Sequence, residues 1–458
     1  MTDGEHDIAF AGAGGQAALV RDGTISSVEL TELGLARIER LNPLLNAFRI
    51  VMTDEALAEA AARDAAPAGE RGPLHGVPIA IKDEIDVAGQ LTTFGTAART
   101  RPADQDAGLV ARLRNAGAVI VGKTAMPEFG AFPFTESSTY GITRNPWDVS
   151  RTTGGSSGGT ACAVAAGMVA AGIGGDGGGS IRIPSACCGL FGLKPTRGLV
   201  STEQPIWHAL GTVGPLTRTV ADSALIYDVI RSAGGPAGAF GEAVAAEPGT
   251  LRIGLCARPA QPGIRLHPEQ RRALEETAGA LRALGHAVTP LDPGYPELAP
   301  AFVPQVYGGI RDEALLVERP ELLERRTRQA LLIARAFPEP IVRAAIRHGE
   351  RLATRVNAVF DRCDLLLTPT IAPLPRRIGA LDGLSNIRAG IRSFPYIAYT
   401  AVWNVCGNPA AAIPAGFATG GIPLSAQLIA RPGADSLILA LAAQLERSRP
   451  WAGRRPPV

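Results

Sequence analysis

Three serines stand in two runs of glycine, and one lysine closes an apolar run. Gly154-Gly-Ser-Ser-Gly-Gly159 holds Ser156 and Ser157, and Gly174-Gly-Asp-Gly-Gly-Gly-Ser180 holds Ser180. Glycine has no Cβ, so peptide N–H groups beside such a serine can come close to a bound carbonyl. A hydroxyl next to converging N–H donors suits acyl transfer: the hydroxyl attacks and the donors meet the oxyanion, each typically contributing about 3–4 kcal/mol in the transition state. The serine also needs a base. The six histidines, at 6, 75, 208, 267, 286 and 348, stand in no motif that sets one beside a carboxylate. Lys82, which ends Val77-Pro-Ile-Ala-Ile81, is the alternative, because burial favours its neutral amine. Serine attack assisted by lysine is therefore physically available.

Other motifs imitate nucleotide sites without their context. Residues 117–124, Gly-Ala-Val-Ile-Val-Gly-Lys-Thr, fit a P-loop letter for letter. Their middle is β-branched and strand-like, however, and Pro127 interrupts any helix starting at Lys123, so no phosphate cradle is expected. Gly12-Ala-Gly14-Gly-Gln-Ala17 and Gly172-Ile-Gly174-Gly-Asp-Gly177 imitate a dinucleotide fingerprint, but the first reaches Gly23 before a βαβ unit can complete and the second is a lone match. Lys123 is expected in a surface or structural ion pair.

Composition narrows the field further. The 458 residues carry 45 Lys+Arg against 43 Asp+Glu, a net charge of +2, with no basic excess for nucleic acid and no acidic block favouring disorder. No basic, then apolar, leader is visible at the N-terminus. The longest apolar run, residues 161–175, is short for a membrane span and is expected to be a buried helix with its exit turn. The cysteines at 162, 187, 188, 256, 363 and 406 contain no CxxC pair, so reduced, packed thiols in a cytoplasmic protein are expected and no metal site. Fourteen of the 54 glycines fall between Gly154 and Gly198, an excess attributed here to donors exposed around a nucleophile.

These residues need a frame. Residues 26–40 read as a helix, with Ser26 and Glu29 forming a capping box ahead of apolar residues at helical spacing. Residues 77–81 and 118–121 read as strands around a surface helix at 107–116. An Ala-rich helix follows Gly159 to about Ala171; then come a strand at 252–255, a helix at 267–284, a strand at 286–288, and late strands at 365–369 and 411–414. Residues 300–348 are mostly helical and rich in Arg and Glu, as a cover over a cleft would be. Strand, helix and strand in alternation argue for an α/β fold with a largely buried sheet. With no repeat and no long linker, a single domain over 1–458 is expected, its catalytic core at about 70–225.

In sequence, the chain resembles the amidase signature family. The resemblance rests on Gly76-Val-Pro-Ile-Ala-Ile-Lys82-Asp, Gly122-Lys-Thr-Ala-Met-Pro-Glu-Phe129, the two glycine–serine runs with Ile181-Arg182, Gly214-Pro-Leu-Thr-Arg-Thr-Val-Ala-Asp222 and Gly421-Ile-Pro-Leu-Ser-Ala-Gln427, in that order along nearly the whole chain. It implies an α/β/α sandwich with a large mixed central sheet covered by helices. It also implies Lys82 as catalytic lysine, Ser156 as a bridging serine after a cis peptide bond to Gly155, and Ser180 as nucleophile. The N–H groups of Gly177, Gly178, Gly179 and Ser180 would form the oxyanion hole. Ser157 would hold the loop near Lys82, and Asp176 and Arg182 would tie the second glycine run together. Thr153, Gly175 and Gly177 depart from the family pattern, the last two leaving extra glycine around the oxyanion hole.

The expected activity is hydrolysis of a linear amide-type carbon–nitrogen acyl bond, with anilides, carbamates and esters open to the same chemistry and with no cofactor or metal. The expected partner is a small-molecule amide or carbamate, not nucleic acid or membrane; a homodimer is left open. Pocket residues are expected from 126–134, 204–210 and 300–348. The rival readings are the amidase subunit of a tRNA-dependent amidotransferase and a non-catalytic anion-binding protein.

Overall fold

A computed structural model describes residues 3–202, 206–232 and 238–458. Its frame is one 11-stranded sheet of β1 (Phe48–Val51), β2 (Pro78–Lys82), β3 (Val119–Thr124), β4 (Ala171–Asp176), β5 (Phe191–Lys194), β6 (Thr212–Thr217), β7 (Arg252–Leu255), β8 (Ala287–Pro290), β9 (Leu365–Pro369), β10 (Ala410–Phe417) and β11 (Pro423–Ala430). Their order across the sheet is β1-β3-β2-β4-β6-β5-β10-β11-β9-β7-β8. β3, β2 and β4 run parallel, as do β9, β7 and β8. Antiparallel pairs join these two blocks. The sheet is therefore mixed, as the sequence resemblance implies.

Alternate side chains of a strand leave opposite faces, and here both faces are buried. Ile79, Ile81 and Ile120 enter one apolar core with Leu365 and Leu367. The helices Val220–Ile230, Pro268–Ala283 and Asp435–Ser448 cover that face. Ala80, Val119 and Val121 enter a second core on the other face, under Ser27–Leu45, Gly158–Ala165 and Arg182–Cys188. Leu366 points the same way, into a third core beneath Ala299–Ala314, Glu339–Asn357 and Ala401–Cys406. The helix Ser27–Leu45 begins as expected: Ser26 Oγ accepts from Glu29 N at 3.1 Å, and Glu29 Oε2 accepts from Ser26 N at 2.8 Å.

The nucleotide-like motifs are structural. Residues 119–124 are β3, and Lys123 is fully buried, 3.3 Å from Asp83. Gly12–Arg21 is a helix, and Gly172 to Asp176 lie within β4.

That last placement corrects the sequence expectation for residues 161–175. The helix stops at Ala165, Gly167 turns the chain at φ +66°, and β4 starts at Ala171. The turn needs positive φ, which glycine adopts without steric cost. Inside β4 the glycines make room for the helix lying on it. A Cβ on Gly172 would stand 2.5 Å from the Thr160 side chain, and one on Gly174 2.7 Å from Ser157 Oγ.

Candidate active site

β2 and β4 are parallel neighbours, so Lys82 and Asp176 finish at the same edge of the sheet, where ligands of α/β folds bind. Lys82 is 1% exposed and donates from Nζ to Ser156 Oγ at 2.8 Å. The Gly155–Ser156 peptide bond is cis. A Cβ on Gly155 would lie 2.7 Å from the backbone nitrogen of Phe134, so this passage admits only glycine. Ser157 fastens the two glycine runs together: its N–H donates to Ser180 O at 3.2 Å and its hydroxyl to Gly175 O at 3.1 Å.

The loop from Gly177 to Ser180 is held from behind by Asp176. Its carboxylate accepts from Arg182 Nε at 3.0 Å and Nη2 at 2.9 Å, from Asn404 Nδ2 at 2.8 Å, and from the N–H groups of Gly179 at 2.7 Å and Ile181 at 3.1 Å. Burial opposes that charge, yet Arg182 and Asn404 hold the carboxyl well below the usual carboxylate range. Arg182 in turn donates to Gln427 Oε1 at 2.8 Å and Asn404 Oδ1 at 2.6 Å. The late segment around Gln427 thus reaches the site through this ion pair.

Two sequence expectations change here. The Gly179 N–H is committed to Asp176, which leaves Gly177, Gly178 and Ser180 as candidate oxyanion donors. Most of the clustered glycines also serve close packing rather than exposed donors. A Cβ on Gly158 would meet Thr135 Oγ1 at 2.2 Å, one on Gly159 Ala125 N at 2.4 Å, and one on Gly192 Ser185 Oγ at 2.2 Å.

Lys82 has a partner outside the expected site residues. Glu84 Oε2 lies 3.0 Å from Lys82 Nζ. Burial pushes the Lys82 ammonium below its ordinary range, while Glu84 and, more weakly, Asp176 pull the other way. Asp83 and Glu84 form the turn that ends β2, closed by Ile85 N–H donating to Lys82 O at 3.1 Å, so strand alternation does not signal this contact. Among the described residues no serine hydroxyl is hydrogen-bonded to a histidine; His208 stands 3.0 Å from Asp312. Lys194, a second buried lysine, is pushed down to about 7 by burial and by Arg182, and it donates to the Pro195 carbonyl.

Ser180 and Gly178 border a cavity of about 1000 Å³, whereas the buried Lys82 and Ser156 do not line it. Phe302, Val306 and Ile310 come from the helix Ala299–Ala314, and Phe132 and Trp207 from segments flagged in the sequence. Gln204 and Pro205 of the expected 204–210 segment lie outside the described residues. Of 300–348, only the first helix reaches the cavity. Residues 258–264 and the helix Asn386–Ile397 line it as well, outside the expected segments. On that helix Ile387, Ile391 and Phe394 are 60, 59 and 41% exposed at i, i+4 and i+7, a helical spacing open to detection.

The family model described as Amidase matches residues 29–439. AmiB2 of Mycobacterium tuberculosis is 46% identical over 458 residues, covering 99% of each chain. The 6-aminohexanoate-cyclic-dimer hydrolase of Paenarthrobacter ureafaciens is 35% identical, covering 96% of this chain and 95% of that one. A solved structure of a 6-aminohexanoate cyclic dimer hydrolase superposes with a TM-score of 0.92 at 32% identity, over 98% of this chain and 99% of that one. A bacterial aryl acylamidase superposes at 0.84 and 28%, over 97% and 98%. A match along nearly the whole chain, on the same mixed sheet, shows that this protein belongs to the amidase signature family and is an enzyme hydrolysing carbon–nitrogen amide bonds.

Proposed function

We propose that Ser180 is the nucleophile, Ser156 the bridge and Lys82 the base. The observation that carries this reading is the 2.8 Å hydrogen bond from Lys82 to Ser156, buried behind a cavity whose wall includes Ser180. As Ser180 Oγ attacks the amide carbonyl, its proton passes to Ser156, whose own proton passes to the Lys82 amine. The N–H groups of Gly177, Gly178 and Ser180 meet the oxyanion. Collapse returns the proton through Ser156 to the departing nitrogen. Water then releases the acyl group from Ser180 by the same relay.

The cavity supports a substrate with a bulky apolar acyl or amine part, in a linear amide. Its walls are mainly aliphatic and aromatic, with Arg258, Gln261, Glu297 and Asn386 among its polar lining residues. A cyclic diamide is the second reading, supported by the similarity to the 6-aminohexanoate-cyclic-dimer hydrolases. The six free, buried cysteines support a cytoplasmic location.

The test is one preparation assayed on linear amides, anilides, carbamates, esters and a cyclic diamide. The highest kcat/KM is expected on linear amides bearing a large apolar group, and a preference for the cyclic diamide would replace the first reading by the second. A fluorophosphonate is expected to add mass at Ser180 and nowhere in Ser180→Ala. Equal addition to both proteins would overturn the nucleophile.

A further inference from the structure

Glu84 occupies a space that only glycine at 175 leaves open. A Cβ on Gly175 would stand 2.0 Å from Glu84 Oε1, with its next nearest neighbours Glu84 Cδ at 3.1 Å and Thr212 O at 3.7 Å. Gly175 lies in β4 beside β2. The departure noted in the sequence therefore has a structural counterpart: the missing side chain is replaced in space by a carboxylate brought from β2's exit. The other oxygen of that carboxylate lies 3.0 Å from Lys82 Nζ, while Oε1 is buried without a hydrogen-bond partner among the described residues. Of its two oxygens, only the one facing Lys82 is engaged.

We infer that Glu84 is a positioning residue for catalysis: seated in the space left by Gly175, it holds Lys82 against Ser156 and stabilises the ammonium that forms as Ser180 attacks. The proton balance is closed. Ser180 loses a proton to Ser156, Ser156 loses one to Lys82, and the resulting ammonium stands beside an existing carboxylate. When the tetrahedral intermediate collapses, the ammonium returns its proton through Ser156 to the leaving nitrogen, and Glu84 takes no part in the transfer. Its part resembles that of a carboxylate behind a catalytic histidine, which stabilises the cation without taking its proton.

Other charged groups surround this pair. Asp176 acts on Lys82 from β4. Glu313, at the end of the helix Ala299–Ala314, faces Glu84; burial and then the Glu84 charge push its carboxyl up to about 7, with Arg99 opposing. Asp83 on the neighbouring residue is engaged with Lys123.

The inference rests on Lys82 acting as base, and its test separates the two. The measurement is the rate at which a fluorophosphonate labels Ser180, followed by mass across pH 5 to 10, in wild type, Glu84→Gln, Gly175→Ala, the double variant and Glu313→Gln. Labelling needs neutral Lys82, so the rate falls on the acid side. An opposite charge at this distance raises the lysine by at least about one pH unit, so without it the acid limb is expected about one unit lower, and the plateau about tenfold slower. Gly175→Ala, which displaces the carboxylate and leaves the three reacting side chains unchanged, is expected to match it, and the double variant to add nothing. Glu313→Gln is expected to leave the limb in place. A limb unmoved in Glu84→Gln, or moved by Glu313→Gln instead, overturns the inference. If Glu84→Gln does not fold, Gly175→Ala decides alone by the same criterion. Wild-type labelling in Lys82→Ala would instead overturn the base, a result distinct from either.

Discussion

Two regions meet at Ser180 and are built on opposite principles. Behind it, Lys82, Ser156, Asp176 and Arg182 are all at most 2% exposed, the first two and the last two paired by side-chain hydrogen bonds of 2.8–3.0 Å, and packed where several positions admit only glycine. In front of it lies a cavity of about 1000 Å³ with mostly apolar walls carried by helices and loops. The proposed relay takes its geometry from the ends of two adjacent strands and the glycine–serine loop at 154–159, and its members lie between residues 82 and 180. The cavity collects residues from 130 to 397. Proton transfer needs fixed distances of hydrogen-bond length, whereas apolar contact is non-directional and tolerates a different wall. One fold can therefore keep its chemistry while its substrate changes.

The largest effects are expected at the proposed relay. Ser180→Ala is expected to lower kcat at least 10³-fold with KM little changed, and Lys82→Ala by a comparable factor, both with wild-type circular dichroism. A Lys82→Ala variant at wild-type rate would break the comparison at its base. Asp176→Ala comes next. It leaves the buried Arg182 guanidinium without its carboxylate, a loss of about 3–5 kcal/mol in stability measurable by chemical denaturation. Because Asp176 also holds Gly179 N–H, kcat is expected to fall in whatever folded fraction remains.

pH should divide the two regions in the same way. Burial holds Lys82 below its ordinary range, so its neutral form persists to lower pH than in a free lysine. As pH falls through that lowered value the amine is protonated and cannot accept from Ser156, so kcat declines. The apolar cavity contacts carry no proton, so KM is expected to stay flat over the same interval. A KM that tracked kcat would mean that the cavity shares the titrating group.

The two regions also differed in how far they could be read from sequence. Lys82, Ser156 and Ser180 stand in contiguous motifs, and the strands at 78–82 and 119–124 show as apolar runs, because local chemistry writes local patterns. β4 was hidden: a strand of Ala-Gly-Ile-Gly-Gly-Asp has the composition of a loop, and only the helix packed on it explains its glycines. Asn404 and Gln427 contact the Asp176–Arg182 pair from more than 200 residues away, a juxtaposition that spacing does not encode. The cavity wall is legible where an expected helix carries several contacts, as at Phe302, Val306 and Ile310, and not at residues 258–264, a loop without periodicity, or on the helix Asn386–Ile397, which stands outside the expected segments.

The cavity gives smaller and more selective effects. Phe302→Ala removes an aromatic wall facing Gly178, and a loss of about 1–2 kcal/mol of apolar contact raises KM roughly tenfold for a bulky substrate while leaving kcat in place. The sharpest discrimination comes from the weakest site. Ile391 is 59% exposed on the helix Asn386–Ile397, so Ile391→Ser removes little buried area and should change stability by less than about 0.5 kcal/mol. If that helix face serves substrate, KM rises severalfold for a large apolar amide and not for acetamide, whose methyl group is too small to reach it. An equal change for both substrates would place Ile391 in general support of the fold, and the cavity would then end at the wall formed by Ala299–Ala314.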